Sequence, residues 1–242
     1  MEKISNPPWN LRDCAFLLAG LAAAGYGTGW VLRMGRIILS LKHQFLLIGL
    51  IQAIVVFSGL YYFIRVRYGK GAETLGLKKP GSGRALLSGL AGGFFLFLSI
   101  ILVSYMVQLW VTTPPAPQPF ARLIVEAKSP KDLILPFFLA SFLAPAGEEA
   151  YFRGFLYPVL RSRWGLAPAL LVNGAVFGLL HFDPIRFLPL VLGGAGLAYL
   201  YERTGSLLAP FVAHGVWNTL MLLLLYFSHE LLAFSSQLLT FL

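Results

Sequence analysis

Charge is what this chain has least of. Charged residues make up 12% of its 242 positions, roughly half the share in a soluble domain. Hydrophobic residues make up 57%, and the mean hydropathy is +0.74. A water-soluble globule could not hide that much apolar surface, so a soluble enzyme is excluded at the outset. The same numbers exclude intrinsic disorder. Cysteine is almost absent: Cys14 stands alone, which excludes a disulfide-stapled secreted domain. Acidic residues are scarce too, 10 against 19 Lys and Arg, for a net charge of +9. In a soluble protein that excess would raise nucleic-acid binding. Here the cations sit at the ends of apolar runs, where they meet lipid headgroups and set orientation. No separate basic domain and no aromatic-interleaved RNA-binding motif is present, so nucleic acid is not an expected partner.

What is there is a series of uncharged runs. A membrane helix needs about 20 apolar residues. Cys14 to Leu32, Gln44 to Ile64 and Ala85 onward satisfy this. The third run reaches Ala121, but Pro114, Pro115, Pro117 and Pro119 end its helix near Thr112. Leu133 to Gly147, Trp164 to Leu180, Phe187 to Tyr201 and Thr204 to Phe227 follow. The tail from Leu231 to Leu242 is half a span long, an interfacial segment or a short eighth helix. The fold class expected is all-α, a polytopic transmembrane bundle of seven or eight helices in one domain over 1–242. Within it we distinguish amino-terminal helices (1–132), a core (133–227) and an apolar tail (228–242).

The first run is as long as a span and is preceded by Pro7, Pro8 and Trp9, so it reads as a helix rather than a cleaved signal. Gly25 with Gly29, and Gly89 with Gly93, have the small-xxx-small spacing of close helix packing. The basic segment Arg65 to Arg84 is expected in the cytoplasm, which puts the amino terminus there as well. The Arg33 to Lys42 connection then lies outside despite its cations. The expected location is the plasma membrane.

Against this apolar background, Glu148, Glu149, Arg153, His181 and His214 are costly. A charge at mid-bilayer costs about 2.5–3.5 kcal/mol even on the lenient insertion scale. Such groups are functional candidates when they face protein or a watery cavity. Glu149 and Arg153 are four apart and can pair on one helix face. Glu148 points about 100° away, free for another partner. Asn173, Phe177 and His181 share a face, as do His214 and Asn218. Counted from the Trp164-Gly165 turn, Glu148 and His181 reach similar depth in an antiparallel pair.

This set suits hydrolysis by an activated water. A buried glutamate makes a general base, and a histidine can hold the same water. Arg153 can keep a neighbouring carboxylate ionised, while His214 and Asn218 can donate to an oxyanion. Neither a serine nor a cysteine nucleophile is required, and Cys14 reads as packing. The bland readings are a buried Glu148–His181 hydrogen bond, a Glu149–Arg153 helix ion pair, and His214 and Asn218 as interhelical glue. His43 and His229 lie at span ends, and Asp183 reads as a loop residue.

The segments Glu148-Glu149-Ala150-Tyr151-Phe152-Arg153, Phe177-Gly178-Leu179-Leu180-His181 and His214-Gly215-Val216-Trp217-Asn218 resemble the EExxxR, FxxxH and HxxxN motifs of the CPBP family. These are the CAAX-protease and bacteriocin-processing membrane endopeptidases, also called the Abi family, with the Rce1-type prenyl-protein proteases among them. The resemblance runs from about Leu133 to Leu225 and includes Tyr201-Glu202-Arg203-Thr204-Gly205-Ser206. It implies an intramembrane glutamic protease in which Glu148 and His181 activate the water. Glu149 and Arg153 would support the site, and His214 and Asn218 would form the oxyanion hole. No cofactor and no metal are implied. The implied partners are a membrane-associated peptide or protein substrate, prenylated or not, and the lipid bilayer.

Two other readings stay open at this point. One is a zinc protease on Glu148, His181 and His214, although HExxH is absent. The other is a non-catalytic scaffold or transporter. Transport is the weaker of those two, since the Glu-Glu and His motifs do not recur between the halves.

Overall fold

The computed structural model describes residues 6–77, 83–111 and 118–240, with side chains as far as residue 229. The expectation of a helix end near Thr112 falls on residues outside that set. The described chain is helical, without strands. We number eight helices: α1 Leu11–Met34, α2 Leu41–Arg67, α3 Gly83–Gln108, α4 Pro119–Val125, α5 Pro130–Trp164, α6 Leu166–Leu179, α7 Phe187–Thr204 and α8 Leu208–Thr240.

Five of them, α1, α2, α3, α5 and the stretch Leu208–His229 of α8, are long and apolar enough to cross a membrane. As the Glu149–Arg153 spacing requires, α5 runs through the two glutamates, 35 residues in all. Two expectations need correction. The tail is no separate element, because α8 extends without a break to Thr240. The run from Trp164 to Leu180 yields only the 14-residue α6. At 1.5 Å per residue that is about 21 Å, short of a roughly 30 Å hydrocarbon core.

Local chemistry sets the boundaries. α1 opens on a capping box: the Asn10 side chain accepts from Arg12 N at 2.8 Å, and Asp13 accepts from Asn10 N at 3.0 Å. α4 begins at Pro119, whose missing N–H costs nothing in the first turn. α5 and α6 meet at Gly165, whose φ of +78° suits glycine.

Glycines bring the helices together. A Cβ on Gly89 would lie 2.7 Å from Val212 Cβ, and one on Gly93 would lie 2.6 Å from the Ala213 carbonyl. α3 therefore packs backbone to backbone on α8, as the small-xxx-small spacing predicts. Gly174 does the same for α6 against Val191 of α7. The matching spacing in α1 packs nothing, since Gly25 and Gly29 have no neighbour within 4 Å. The reason is position: α1 touches the bundle near its first turns, through buried Asp13, Cys14 and Leu17.

The apolar core gathers around α5. Trp9 stacks on Phe155 with centroids 4.9 Å apart, and its indole N–H donates to the Phe155 carbonyl at 2.7 Å. Cys14 is buried beside the same carbonyl, as packing. Large apolar side chains such as Trp30, Ile54, Phe95, Leu102 and Phe227 are exposed around the outside, as expected of a bundle solvated by lipid.

Candidate active site

The dyad sits where α5 is least regular. Two wide turns, with hydrogen bonds to the fifth residue, flank it at Leu139–Leu143 and Ala150–Leu156. Such insertions into an α-helix often mark functional sites. Pro145 and Pro158 stand beside them, where each removes a backbone donor. The shifted pattern frees a carbonyl for another helix. Ala144 N bonds Leu139 O rather than Ala140 O, and the Asn218 amide of α8 donates to Ala140 O at 2.7 Å. Beyond the dyad, Phe152 O accepts both from Tyr157 N within α5 and from the Asn173 amide of α6, the latter at 2.9 Å.

Glu149 is the buried centre, 1% exposed. Its Oε1 accepts from Arg153 Nη1 at 2.9 Å and from His214 Nδ1 at 2.7 Å. A carboxylate can only accept here, so the Nδ1 proton of His214 is assigned by the contact. Arg153 is wholly buried. Its Nη2 donates to the Gly194 carbonyl of α7 at 2.9 Å, and its guanidinium lies 4.9 Å from the Phe177 ring centroid. A buried cation thus gains a carboxylate, a carbonyl and an aromatic face, which together offset its desolvation.

Glu148 points elsewhere, as the helix geometry requires. Its side chain is 32% exposed, and its Oε2 lies 3.9 Å from His214 Nε2. That Oε2 is itself buried and has no hydrogen-bond partner. His214 therefore bridges the two glutamates, Nδ1 on one and Nε2 toward the other. Trp217 stacks on its ring at 5.2 Å, and Phe177 packs edge-on at 5.8 Å.

His181 lies in the turn just beyond α6 and is exposed. Its Nδ1 donates to the Phe177 carbonyl at 2.7 Å, and its ring packs on Phe177 at 4.7 Å. It makes neither a hydrogen bond nor an ion pair with Glu148. Asp183 anchors the turn that follows. It accepts from Arg186 N at 3.0 Å and from Gln118 Nε2 at 3.1 Å, and it pairs with the Arg186 guanidinium. Partial burial pushes the Asp183 carboxyl up, but these donors outweigh it and hold the group below the usual carboxylate range. Phe182, in the same turn, has φ of +51°, uncommon for a bulky residue.

The structure thus brings Glu148, Glu149, Arg153 and His214 into one network. Asn218 lies one turn along α8 and His181 just beyond α6. Phe177, on the same helix face as His181, touches Arg153, His181 and His214. The interlock of α5 with α8 was not foreseen: Thr219 donates to the Gly215 carbonyl at 2.7 Å and accepts from buried Ser141 at 2.9 Å, and Gly215 faces the Ser141 carbonyl. The absence of a donor at Pro145, four residues after Ser141, was the available signal. Among the described residues, no three His, Cys, Asp or Glu side chains are grouped as a metal ion would need.

Residues 130–220 match the type II CAAX prenyl endopeptidase Rce1-like family. Over that segment the chain is similar to that family. The site residues named above on α5, α6, α7 and α8, from Leu139 to Thr219, lie inside the Rce1-like segment; Gln118 and helices α1, α2, α3 and α4 lie outside it. The chain is 24% identical over 147 residues to "Putative membrane peptidase YdiL" of Bacillus subtilis (strain 168), covering 61% of this chain and 59% of that protein. It is 28% identical over 123 residues to CAAX prenyl protease 2 of Homo sapiens, covering 43% of this chain and 35% of that protein. It is 33% identical over 111 residues to an uncharacterized 24.3 kDa protein of Escherichia coli, covering 44% and 51%. The matches therefore span between about a third and three fifths of these relatives. No solved structure matches the chain.

Proposed function

We propose that this protein is a membrane endopeptidase that hydrolyses peptide bonds near the membrane surface with a Glu148-activated water and no metal. The observation that carries the reading is the unpartnered, buried Oε2 of Glu148, 3.9 Å from His214 Nε2. It is backed by the Glu149–Arg153–His214 network, in a segment that is Rce1-like.

Glu148 takes a proton from the water, whose oxygen attacks the carbonyl carbon. The carbonyl π pair moves onto oxygen. His181 steadies the same water with Nε2, the nitrogen left free when Nδ1 donates to Phe177 O. With a proton on each ring nitrogen, His214 donates from Nδ1 to Glu149 and from Nε2 to the oxyanion; the second N–H of the Asn218 amide faces the oxyanion as well, since one amide hydrogen is spent on Ala140 O and one remains. The oxyanion then collapses, the C–N bond breaks, and the proton held by Glu148 passes to the leaving amine. Glu149 touches none of the reacting atoms. With Arg153 it holds the His214 ring in place, Nδ1–H on Glu149 and Nε2 turned to the reacting side.

The substrate is a membrane-associated peptide or protein of the CAAX type, the class named in the human relative. Loop charge supports a cytoplasmic amino terminus, and the membrane we propose is the plasma membrane.

The test is cleavage of a mixed pool of prenylated CAAX-type and unmodified membrane-proximal peptides by purified protein in liposomes, read by mass spectrometry. Wild type should cleave, and Glu148→Gln should fall by about 10²–10⁴-fold with unchanged thermal unfolding. Equal cleavage by both proteins would sink the assignment of the base. One equivalent of zinc by elemental analysis, with activity lost to a chelator, would replace the metal-free mechanism. No cleavage from folded wild type would favour the scaffold or transporter reading.

A further inference from the structure

A second feature lies outside the Rce1-like segment for most of its extent. A cavity of about 740 Å³ runs between the second half of α2, the loop after it and the start of α8. That volume lies within the range that takes a ligand of some tens of atoms. Phe57 and Arg65, both in its wall, are two turns apart on α2, so the cavity is about 12 Å deep along the helix. Its deep end is apolar, with Phe57, Leu60 and Phe211. Its other end carries Arg65 and Lys70, both exposed. Among the described residues, neither cation has an ion-pair partner.

The slot opens sideways. Phe57 is 46% and Tyr61 is 65% exposed, and both belong to the apolar surface of a membrane bundle. The occupant that fits is therefore amphipathic and reaches the slot from within the bilayer. It needs an anion for Arg65 and Lys70 and an apolar chain for the 12 Å beyond them. Basic pockets between membrane helices at the headgroup level hold anionic lipid in this way.

We propose that this slot binds one anionic phospholipid, its phosphate on Arg65 and Lys70 and part of one acyl chain between α2 and α8. Glu149 and Ala150 also line the slot, so the bound chain covers the back of the dyad helix and keeps water from it. Only that last consequence rests on the peptidase reading; the binding itself does not.

The test uses full-length protein, delipidated in detergent and titrated separately with phosphatidylglycerol and phosphatidylcholine, with bound lipid counted by native mass spectrometry. Wild type should take one phosphatidylglycerol with at least tenfold preference over phosphatidylcholine. Arg65→Gln with Lys70→Gln should lose that preference, about fivefold for each cation. Ala146→Phe, which narrows the slot and leaves the cations in place, should weaken binding of phosphatidylglycerol. Arg163→Gln, an exposed cation at the end of α5, should bind as wild type, and so should Glu148→Gln. The Glu148 variant separates this proposal from the peptidase reading, since lipid binding should survive there while cleavage fails. Equal uptake of both lipids by wild type would overturn the proposal, as would an unchanged preference in a folded double variant. So would a peptide with a free carboxyl terminus that needs Arg65 and Lys70 for binding and fully displaces the lipid.

Discussion

Arg153 shows how a full charge survives inside this bundle. Its partners are all internal: Glu149, the Gly194 carbonyl and the rings of Phe177 and Phe152. Removing it leaves Glu149 as a buried carboxylate with half its support. Arg153→Met should therefore lose about 3–5 kcal/mol, measured by chemical unfolding in detergent beside wild type. Arg153→Lys should recover only part of that loss, because an ammonium is a point donor and cannot reproduce the fork that spans α5 and α7. Full recovery by lysine would show that charge alone matters here. The i, i+4 spacing made the Glu149–Arg153 pair legible in the sequence. The Gly194 contact was not legible, because a backbone carbonyl carries no residue-type signal.

At the scale of elements, the glycines of α6 and α1 make a controlled pair. Gly174 faces the Val191 carbonyl, with a Cβ position only 2.5 Å away, whereas Gly29 faces nothing within 4 Å. Gly174→Ala should push α6 off α7, cost about 1–3 kcal/mol and lower activity by moving His181. Gly29→Ala should leave both stability and activity unchanged. Thermal unfolding and peptide cleavage on the two variants check this, and a neutral Gly174→Ala would show that the helices can slide apart freely.

The turn after α6 supplies a pH-dependent element. The Asp183 carboxyl is held below its ordinary range, so its tether to Arg186 and Gln118 is fully formed above the unfolded carboxylate pKa of about 3.9. The tether is lost as pH falls through the lower folded value. A spin label on Phe182→Cys should be immobile at neutral pH and mobilise only in acid. Adding Asp183→Asn should make it mobile throughout. Identical spectra at all pH values would remove Asp183 from this role.

For the whole molecule, loop charge predicts that Lys70 and the amino terminus share the cytoplasmic side. A cysteine at Lys70 should react with an impermeant reagent only from that side. One at Arg36, in the connection between α1 and α2, should react only from the other. Buried Cys14 keeps the background low. Labelling of both positions from one side would invert or break the proposed topology.

Hydropathy alone settled that this is an apolar helical chain, because uncharged runs of membrane length have no other stable solution. Residue type and spacing also placed Glu148, Glu149, Arg153, His181, His214 and Asn218 on three helices with one polar edge each. Which edges meet was decided by the tertiary structure. The pairing of His214 with Glu149, the carbonyl released by the first wide turn of α5, and the slot behind Glu149 all depend on how helices far apart in sequence are rotated and seated. Those rotations follow from backbone contacts at glycine and from side chains that fill one another's gaps. Such contacts arise between elements, so no single stretch of sequence carries them.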